Sequence, residues 1–154
     1  MLTDPPDSSA LRVAIYADGA DIEGLTRLAA DPLIAGFTTN PTLMRKAGVS
    51  DYAAFARSAL EVVGDRPISF EVFSDEIDEM ERQAHTIAAW GENVFVKIPI
   101  TTTTGAPTTE LTRRLSATGV QVNVTAVMTA PQVDASIDAL AEGAGGFVSV
   151  FAGR

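Results

Sequence analysis

The chain has 154 residues, the size of one domain, and its 46% hydrophobic and 20% charged residues are typical of a globular protein. A net charge of -9 argues against nucleic acids and anionic membrane surfaces as partners. Because the sequence has no cysteine, it excludes disulfides, thiolate nucleophiles and cysteine-ligated metal sites.

Residues 1–11 contain no basic segment followed by an apolar one, so they predict a flexible leader rather than a signal peptide. No apolar run in the chain approaches the roughly 20 residues that span a bilayer. We therefore expect a cytoplasmic protein without membrane contact, whose single folded domain covers 12–154.

Short apolar runs and helically spaced apolar residues alternate along that domain. Gly64 is expected to end the second helix. In chain order, the pattern predicts strand 12–17, helix 22–29, strand 33–39, helix 52–63, strand 68–72, helix 77–88, strand 94–100, a helix around 111–115, strand 121–125, helix 133–141 and strand 147–150.

The later strands begin about 26 residues apart, which is the length of one strand plus one helix. Such alternation predicts a parallel sheet that right-handed crossovers wind in one direction. The chain lacks Gly-x-Gly-x-x-Gly after the first strand and lacks Gly-x-x-x-x-Gly-Lys, the common nucleotide signatures of open sheets. A (β/α) barrel is therefore favoured over a doubly wound sheet.

Lys97 lies inside the apolar run 94–100, which predicts a strand buried on both faces. Removing an unpaired ammonium from water costs on the order of several kcal/mol, so burial favours the neutral amine. A neutral lysine can attack a carbonyl and form a Schiff base. The alternative is a structural lysine that reaches solvent or pairs with a carboxylate.

Polar residues recur at or near the carboxyl ends of the predicted strands, which form the active-site face of a (β/α) barrel. Taken singly, each of them is more often structural, but together they suggest a site that combines an amine, carboxylates, amides and hydroxyls. These residues are Asp18, Asn40, Glu71, Lys97, Asn123, Thr125 and Ser149.

The only histidine, His85, is expected on the surface of a helix or in a groove. A histidine-rich metal site cannot be built from one histidine and no cysteine, so we predict no metal ligands. A lysine with carboxylates on neighbouring strand ends suits Schiff-base chemistry instead.

Several stretches resemble the successive motifs of the transaldolase family, in the family's order and over nearly the whole chain beyond the leader. The Thr-Thr-Asn-Pro motif and the lysine strand together are the most specific part of this resemblance. The stretches are IYAD (15–18), FTTNPT (37–42), VFVKIP (94–99), NVT (123–125) and SVFAGR (149–154).

The resemblance implies a (β/α)8 barrel in which Lys97 forms the Schiff base with a ketose phosphate. It implies that Asp18 takes the proton from the C4 hydroxyl as the bond between C3 and C4 breaks. Glu71 and Thr125 would position a water molecule for proton transfer during imine formation and hydrolysis.

The same resemblance implies a set of substrate-binding residues and no metal or organic cofactor, because the iminium is itself the electron sink. Asn40, Asn123 and Ser149 would hold the dihydroxyacetone part of the sugar, and Arg154 matches the family's phosphate-binding arginine. Phe151 belongs to the same motif. The implied reaction belongs to the pentose phosphate pathway.

Three other functions stay open at this point. Relatives that cleave fructose 6-phosphate as aldolases usually carry glutamine where Glu71 stands, so Glu71 and Phe151 favour the transaldolase. A family barrel needs eight βα units, whereas this chain reaches about six, so we expect a fragment whose open strand edges could form a homo-oligomer. A non-catalytic fragment and a simple metabolite-binding module are the remaining alternatives.

Overall fold

The computed structural model describes residues 12–46 and 48–152, so the predicted leader over 1–11 and Arg154 lie outside the described residues. Strands and helices alternate along this part of the chain. The strands are β1 (Ile15–Asp18), β2 (Ile34–Thr38), β3 (Ile68–Glu71), β4 (Val94–Pro99), β5 (Val122–Val127) and β6 (Gly146–Val150). The helices are α1 (Ile22–Ala29), α2 (Pro41–Lys46), α3 (Tyr52–Val63), α4 (Ile77–Ala88), α5 (Thr109–Ala117) and α6 (Ala130–Leu140).

The six strands form one sheet, in which each strand pairs in parallel with the next along the chain. A doubly wound sheet would instead reverse its strand order at a switch point. The sheet is also curled, because the Tyr16 ring on β1 lies 5.4 Å from the Phe147 ring on β6. In a flat sheet these outer strands would lie about 24 Å apart. The predicted architecture is confirmed: the chain forms part of a (β/α)8 barrel.

Aromatic rings fill the concave face of the sheet at the amino-terminal ends of the strands. Phe147 contacts Tyr16 and also Phe95, whose ring centroid is 4.5 Å away. Gly36 on β2 leaves room for this cluster, because a Cβ atom at position 36 would overlap the Tyr16 ring. We call Tyr16, Phe95 and Phe147 the aromatic floor.

The convex face of the sheet is apolar and lies under the helices. Val96 and Ile98 point outward from β4 and are fully buried. Met80, Ala84 and Ile87 form one apolar stripe along α4 and belong to the same core. Within residues 12–46 and 48–152, each helix is too short or too polar to cross a membrane.

Local capping defines several helix ends. Asp21 accepts a hydrogen bond from the Gly24 N–H at 2.7 Å, and Asp51 accepts one from the Ala54 N–H at 2.9 Å. Both carboxylates satisfy amide groups that have no partner inside the helix. The prediction that Gly64 ends its helix is confirmed, since Gly64 has a φ of 63° and caps α3.

The short helix α2 was not predicted. Asn40 accepts a hydrogen bond from the Thr42 N–H at 2.8 Å, and Pro41 takes the first helical position. Asn40, Pro41 and Thr42 carry a helix-start signal that also ends the preceding strand. At six residues, α2 is too short for an apolar periodicity to reveal it.

The predicted strand bounds differ most at β1 and β5. The strand β1 begins at Ile15 rather than at residue 12, and Val13 is 67% exposed. The strand β5 continues to Val127, two residues beyond the prediction. Ala126 interrupts its pairing with a φ of 58°, a left-handed conformation that costs a residue with a side chain about 1 kcal/mol.

Arg66 joins three elements at the opposite end of the sheet from the polar strand ends. Its guanidinium donates hydrogen bonds to the carbonyl oxygens of Val63 at 3.1 Å, Ile34 at 3.3 Å and Ala29 at 3.1 Å. It also lies 5.0 Å from the centroid of the Phe37 ring. One planar group therefore satisfies carbonyls from α1, β2 and α3.

Replacing Arg66 with lysine should lower the free energy of unfolding by about 2 kcal/mol, because an ammonium cannot reach three diverging carbonyls or stack on the ring. Urea denaturation measures the loss. The control is Arg57→Lys on the exposed side of α3, which should change stability by less than about 0.5 kcal/mol. Equal losses of stability in both variants would contradict the role of the Arg66 guanidinium in joining α1, β2 and α3.

Candidate active site

Lys97 points into the concave side of the sheet and is 7% exposed. Its Nζ donates a hydrogen bond to the Thr39 carbonyl oxygen at 3.0 Å and lies 3.1 Å from Oε2 of Glu71. Of the two alternatives for a structural lysine, exposure to solvent is wrong and pairing with a carboxylate is observed. The pairing does not exclude a catalytic role for Lys97, because the Glu71 carboxylate is also a group that can take up a proton.

The sheet register explains why Glu71 and Lys97 meet. Glu71 on β3 pairs with Lys97 on β4, and Lys97 pairs with Asn123 on β5. Paired residues of adjacent parallel strands point to the same face and lie about 4.8 Å apart. A carboxylate, an amine and an amide therefore form one row above the aromatic floor.

Asn123 is buried and links three strands. Its Nδ2 donates a hydrogen bond to the Ser69 hydroxyl at 3.0 Å, and its Oδ1 accepts one from the Ser149 hydroxyl at 2.6 Å. The structure thus brings the predicted pair Asn123 and Ser149 together. Ser69 was missed, although its place two residues before Glu71 on the same strand would have put it on the same face.

Thr125 lies two residues beyond Asn123 on β5 and pairs with Pro99. Alternation along the strand places its side chain on the same face as Asn123. The Thr125 side chain is 2% exposed, and its hydroxyl has no hydrogen-bond partner among the described residues. A buried hydroxyl without a partner costs about 1–3 kcal/mol, so a threonine at this position lowers the stability of the fold.

Asp18 and Asn40 lie at the carboxyl ends of β1 and β2, as predicted. Asp18 is exposed and accepts a hydrogen bond from the Thr38 hydroxyl at 3.0 Å. The side-chain Oδ1 of Asn40 accepts the Thr42 N–H at the start of α2, so this oxygen already has a local function. Phe151 follows β6 and donates its N–H to the Val127 carbonyl at 2.8 Å, whereas Arg154 lies outside the described residues.

Tyr52 is a second residue that the sequence analysis missed. It begins α3, and its hydroxyl accepts a hydrogen bond from the Glu71 N–H at 2.9 Å and donates one to the Glu71 carbonyl at 3.1 Å. Burial raises the pKa of Tyr52, and the nearby Glu71 carboxylate acts in the same direction. No sequence signal places a tyrosine at a helix start beside the backbone of a distant strand.

Two cavities border the row of polar residues. One of about 180 Å³ lies on the concave face and includes Tyr16, Thr38, Asn123 and Ser149 in its lining. The other, of about 320 Å³, lies at the carboxyl ends of the strands and includes Glu71, Arg45 and Thr102. Among residues 12–46 and 48–152, no cluster of three or more metal-ligating carboxylates or histidines is present.

A wider apolar groove of about 670 Å³ runs along the outside of the barrel, between α3 and α4. His85 is exposed there, as predicted, beside Arg82 and Trp90. The groove does not contain the polar strand-end residues. Its volume therefore says nothing about the chemistry on the concave face.

Residues 15–154 match the family model described as transaldolase/fructose-6-phosphate aldolase. The chain belongs to this family. It is 38% identical over 140 residues to a probable transaldolase of Dehalococcoides mccartyi. This match covers 91% of this chain and 61% of that protein. The resemblance found in the motifs is thereby confirmed.

Other relatives in the transaldolase family give the same picture. A probable transaldolase of Thermus thermophilus is 37% identical over 149 residues, covering 91% of this chain and 62% of that protein. One from Streptococcus agalactiae is 35% identical over 139 residues, covering 90% of this chain and 60% of that protein. The chain therefore spans about three fifths of the length of the curated relatives that it matches.

Breaking the buried pair should be far more destabilising than breaking a surface pair. Lys97→Met leaves the Glu71 carboxylate with an unpaired charge and should lower the free energy of unfolding by about 3 kcal/mol. Adding Glu71→Gln should restore much of the loss, which gives a coupling energy of about 2 kcal/mol in a double-mutant cycle.

The matched control for this cycle is the ion pair between Arg114 and Glu81, whose atoms lie 2.7 Å apart on partly exposed side chains. Its coupling energy should be at most about 1 kcal/mol. Urea denaturation of both sets measures the two coupling energies. Equal values would contradict a special role for the buried pair.

Proposed function

We propose that this protein is a transaldolase, which moves a dihydroxyacetone unit from a ketose phosphate to an aldose phosphate through a Schiff base on Lys97. The observation that carries the proposal is the buried Lys97 ammonium, 3.1 Å from the Glu71 carboxylate at the carboxyl ends of the strands. Membership of the family supports it, since the family is described by this activity and the related aldolase activity.

In the proposed first stage, the ammonium of Lys97 passes a proton to Glu71, and the neutral amine attacks the carbonyl carbon of the ketose phosphate. A carbon–nitrogen bond forms, and the former carbonyl oxygen leaves as water. Glu71 and Thr125 hold the water molecule that carries these protons. The position of Thr125 supports this assignment, because its side chain lies on the concave face two residues beyond Asn123, the residue that pairs with Lys97.

In the second stage, Asp18 takes the proton of the C4 hydroxyl as the bond between C3 and C4 breaks. The electron pair of that bond moves towards the iminium and leaves an enamine, while an aldose phosphate departs. The enamine carbon then attacks the carbonyl carbon of a second aldose phosphate, and Asp18 returns its proton. Hydrolysis of the new iminium frees Lys97 and the product.

The remaining residues of the site are proposed to bind substrate. Asn123 has two N–H donors and two acceptor positions, and its bonds to Ser69 and Ser149 use one of each. It can therefore hold a sugar hydroxyl without losing its place in the network. Asn40 and Ser149 are assigned to the same dihydroxyacetone part.

Phe151 and Arg154 are assigned to the substrate's distal end, with Arg154 as the phosphate ligand. We place the activity in the pentose phosphate pathway of the cytoplasm. It would act on sugar phosphates without a metal or organic cofactor, because the iminium accepts the electrons. Formation of a homo-oligomer is also part of the proposal.

Borohydride trapping with fructose 6-phosphate tests the chemistry. We expect one adduct on the peptide that contains Lys97, because reduction fixes the imine on its Nζ. Since Lys97 and Lys46 are the only lysines, peptide mass mapping assigns the adduct directly. Lys97→Met should abolish trapping, whereas the control Lys46→Met should retain it. An adduct on Lys46 alone, or none on the wild type, would reject the proposal.

The acceptor of the enamine separates the two activities that the family description combines. With fructose 6-phosphate and erythrose 4-phosphate together, we expect sedoheptulose 7-phosphate to form at least ten times faster than free dihydroxyacetone, roughly a 1.4 kcal/mol preference. Mass spectrometry of the sugars measures both products. Dihydroxyacetone as the main product would assign the aldolase activity instead.

A further inference from the structure

The last residue of β3 lacks a neighbouring strand on one side. The strand β2 pairs with β3 only through Phe37 with Ile68 and Thr38 with Ser69, because the chain then leaves the sheet to form α2. The N–H and C=O of one strand residue point to the same side. Both main-chain groups of Glu71 therefore face a position where no strand lies.

The Tyr52 hydroxyl occupies that position. It accepts from the Glu71 N–H at 2.9 Å and donates to the Glu71 carbonyl at 3.1 Å, so a side chain of α3 replaces the missing strand. We propose that Tyr52 is a positioning residue that holds the backbone of Glu71, and through it the carboxylate beside Lys97. This inference rests on the proposed function.

Three aromatic contacts fix the Tyr52 ring. Its centroid lies 4.7 Å from that of Phe73, 5.2 Å from that of Trp90 and 6.0 Å from that of Phe70, each in an edge-to-face arrangement. The hydroxyl is therefore held in place before any substrate binds. Burial raises the pKa of Tyr52, so the hydroxyl stays protonated and can both donate and accept at neutral pH.

The consequence for chemistry follows from distance. The Glu71 carboxylate lies 3.1 Å from Nζ of Lys97, which is within direct proton-transfer range. Without the Tyr52 hydroxyl, two partly buried main-chain groups of Glu71 lose their partner and the strand end can shift. A displacement of about 1 Å in a reacting group can lower a rate as much as a hundredfold.

The experiment compares Tyr52→Phe with the wild type in single-turnover trapping on the full chain with fructose 6-phosphate. Phenylalanine keeps the ring contacts and removes only the hydroxyl. We expect imine formation to slow about tenfold, while the concentration of fructose 6-phosphate that gives half the maximal rate changes less than about twofold. An unchanged rate would overturn the inference.

Arg66→Lys is the matched control, because it loosens the opposite end of the sheet and leaves the Tyr52 ring and its hydroxyl in place. Its trapping rate should stay within about twofold of the wild type. If Arg66→Lys slows trapping as much as Tyr52→Phe does, general loosening of the structure explains both, and the inference fails. Sucrose, which favours the folded state, keeps the comparison possible if either variant is less stable.

A double-mutant cycle decides whether Tyr52 acts through Glu71. In a Glu71→Gln background, Tyr52→Phe should slow trapping by less than about twofold, because the carboxylate that it positions is gone. A tenfold effect that persists there would show an action independent of Glu71 and overturn the inference.

A final readout does not depend on catalysis. The unfolding cycle between Lys97 and Glu71 can be repeated in the Tyr52→Phe background. There we expect the coupling to change the unfolding equilibrium constant by a factor at least ten times smaller than in the wild type. If the wild type forms no adduct, the proposed function fails, and this cycle alone decides the positioning role. An unchanged coupling would overturn that role.

Discussion

Burying one ammonium group constrains the whole carboxyl end of the sheet. Lys97 can be buried because Glu71 offers a negative charge and Thr39 a carbonyl oxygen, each about 3 Å away. Those two partners belong to β3 and to the residue after β2, so the requirement ties three consecutive strand ends together. The curl of the sheet, its register and the exit of the chain into α2 all have to satisfy that contact.

The fold was predictable because its signals are local and repeated. Apolar runs, helical spacing and the 26-residue period needed no tertiary information, and Gly64 indicated a helix end correctly. The helix α2 was not recognised, because six residues show no periodicity. The left-handed Ala126 could not be predicted either, since alanine carries no local signal for the irregular pairing of β5 with β6 at which it lies.

Some residues that the structure brings together at the candidate site were predictable from the sequence, whereas their hydrogen bonds were not. Position at the end of a strand was enough to select Glu71, and the register of the parallel sheet brings Lys97 and Asn123 beside it, although Asn123 lies near the start of β5. The backbone carbonyl of Thr39 carries no side-chain signal, and the Tyr52 hydroxyl reaches Glu71 from 19 residues away. Such contacts depend on how a helix docks on the sheet, which one sequence alone does not reveal.

The aromatic floor has a consequence for how the curvature is encoded. Tyr16 reaches Phe147 across the interior because Gly36 has no side chain to occupy that space. The bend of the sheet thus depends on the missing side chain at Gly36 as much as on the aromatic rings that pack on the concave face. A single added methyl group at position 36 would displace the Tyr16 ring, which lines the small concave-face cavity together with Asn123 and Ser149. The shape of that cavity would change although no polar group in it had been altered.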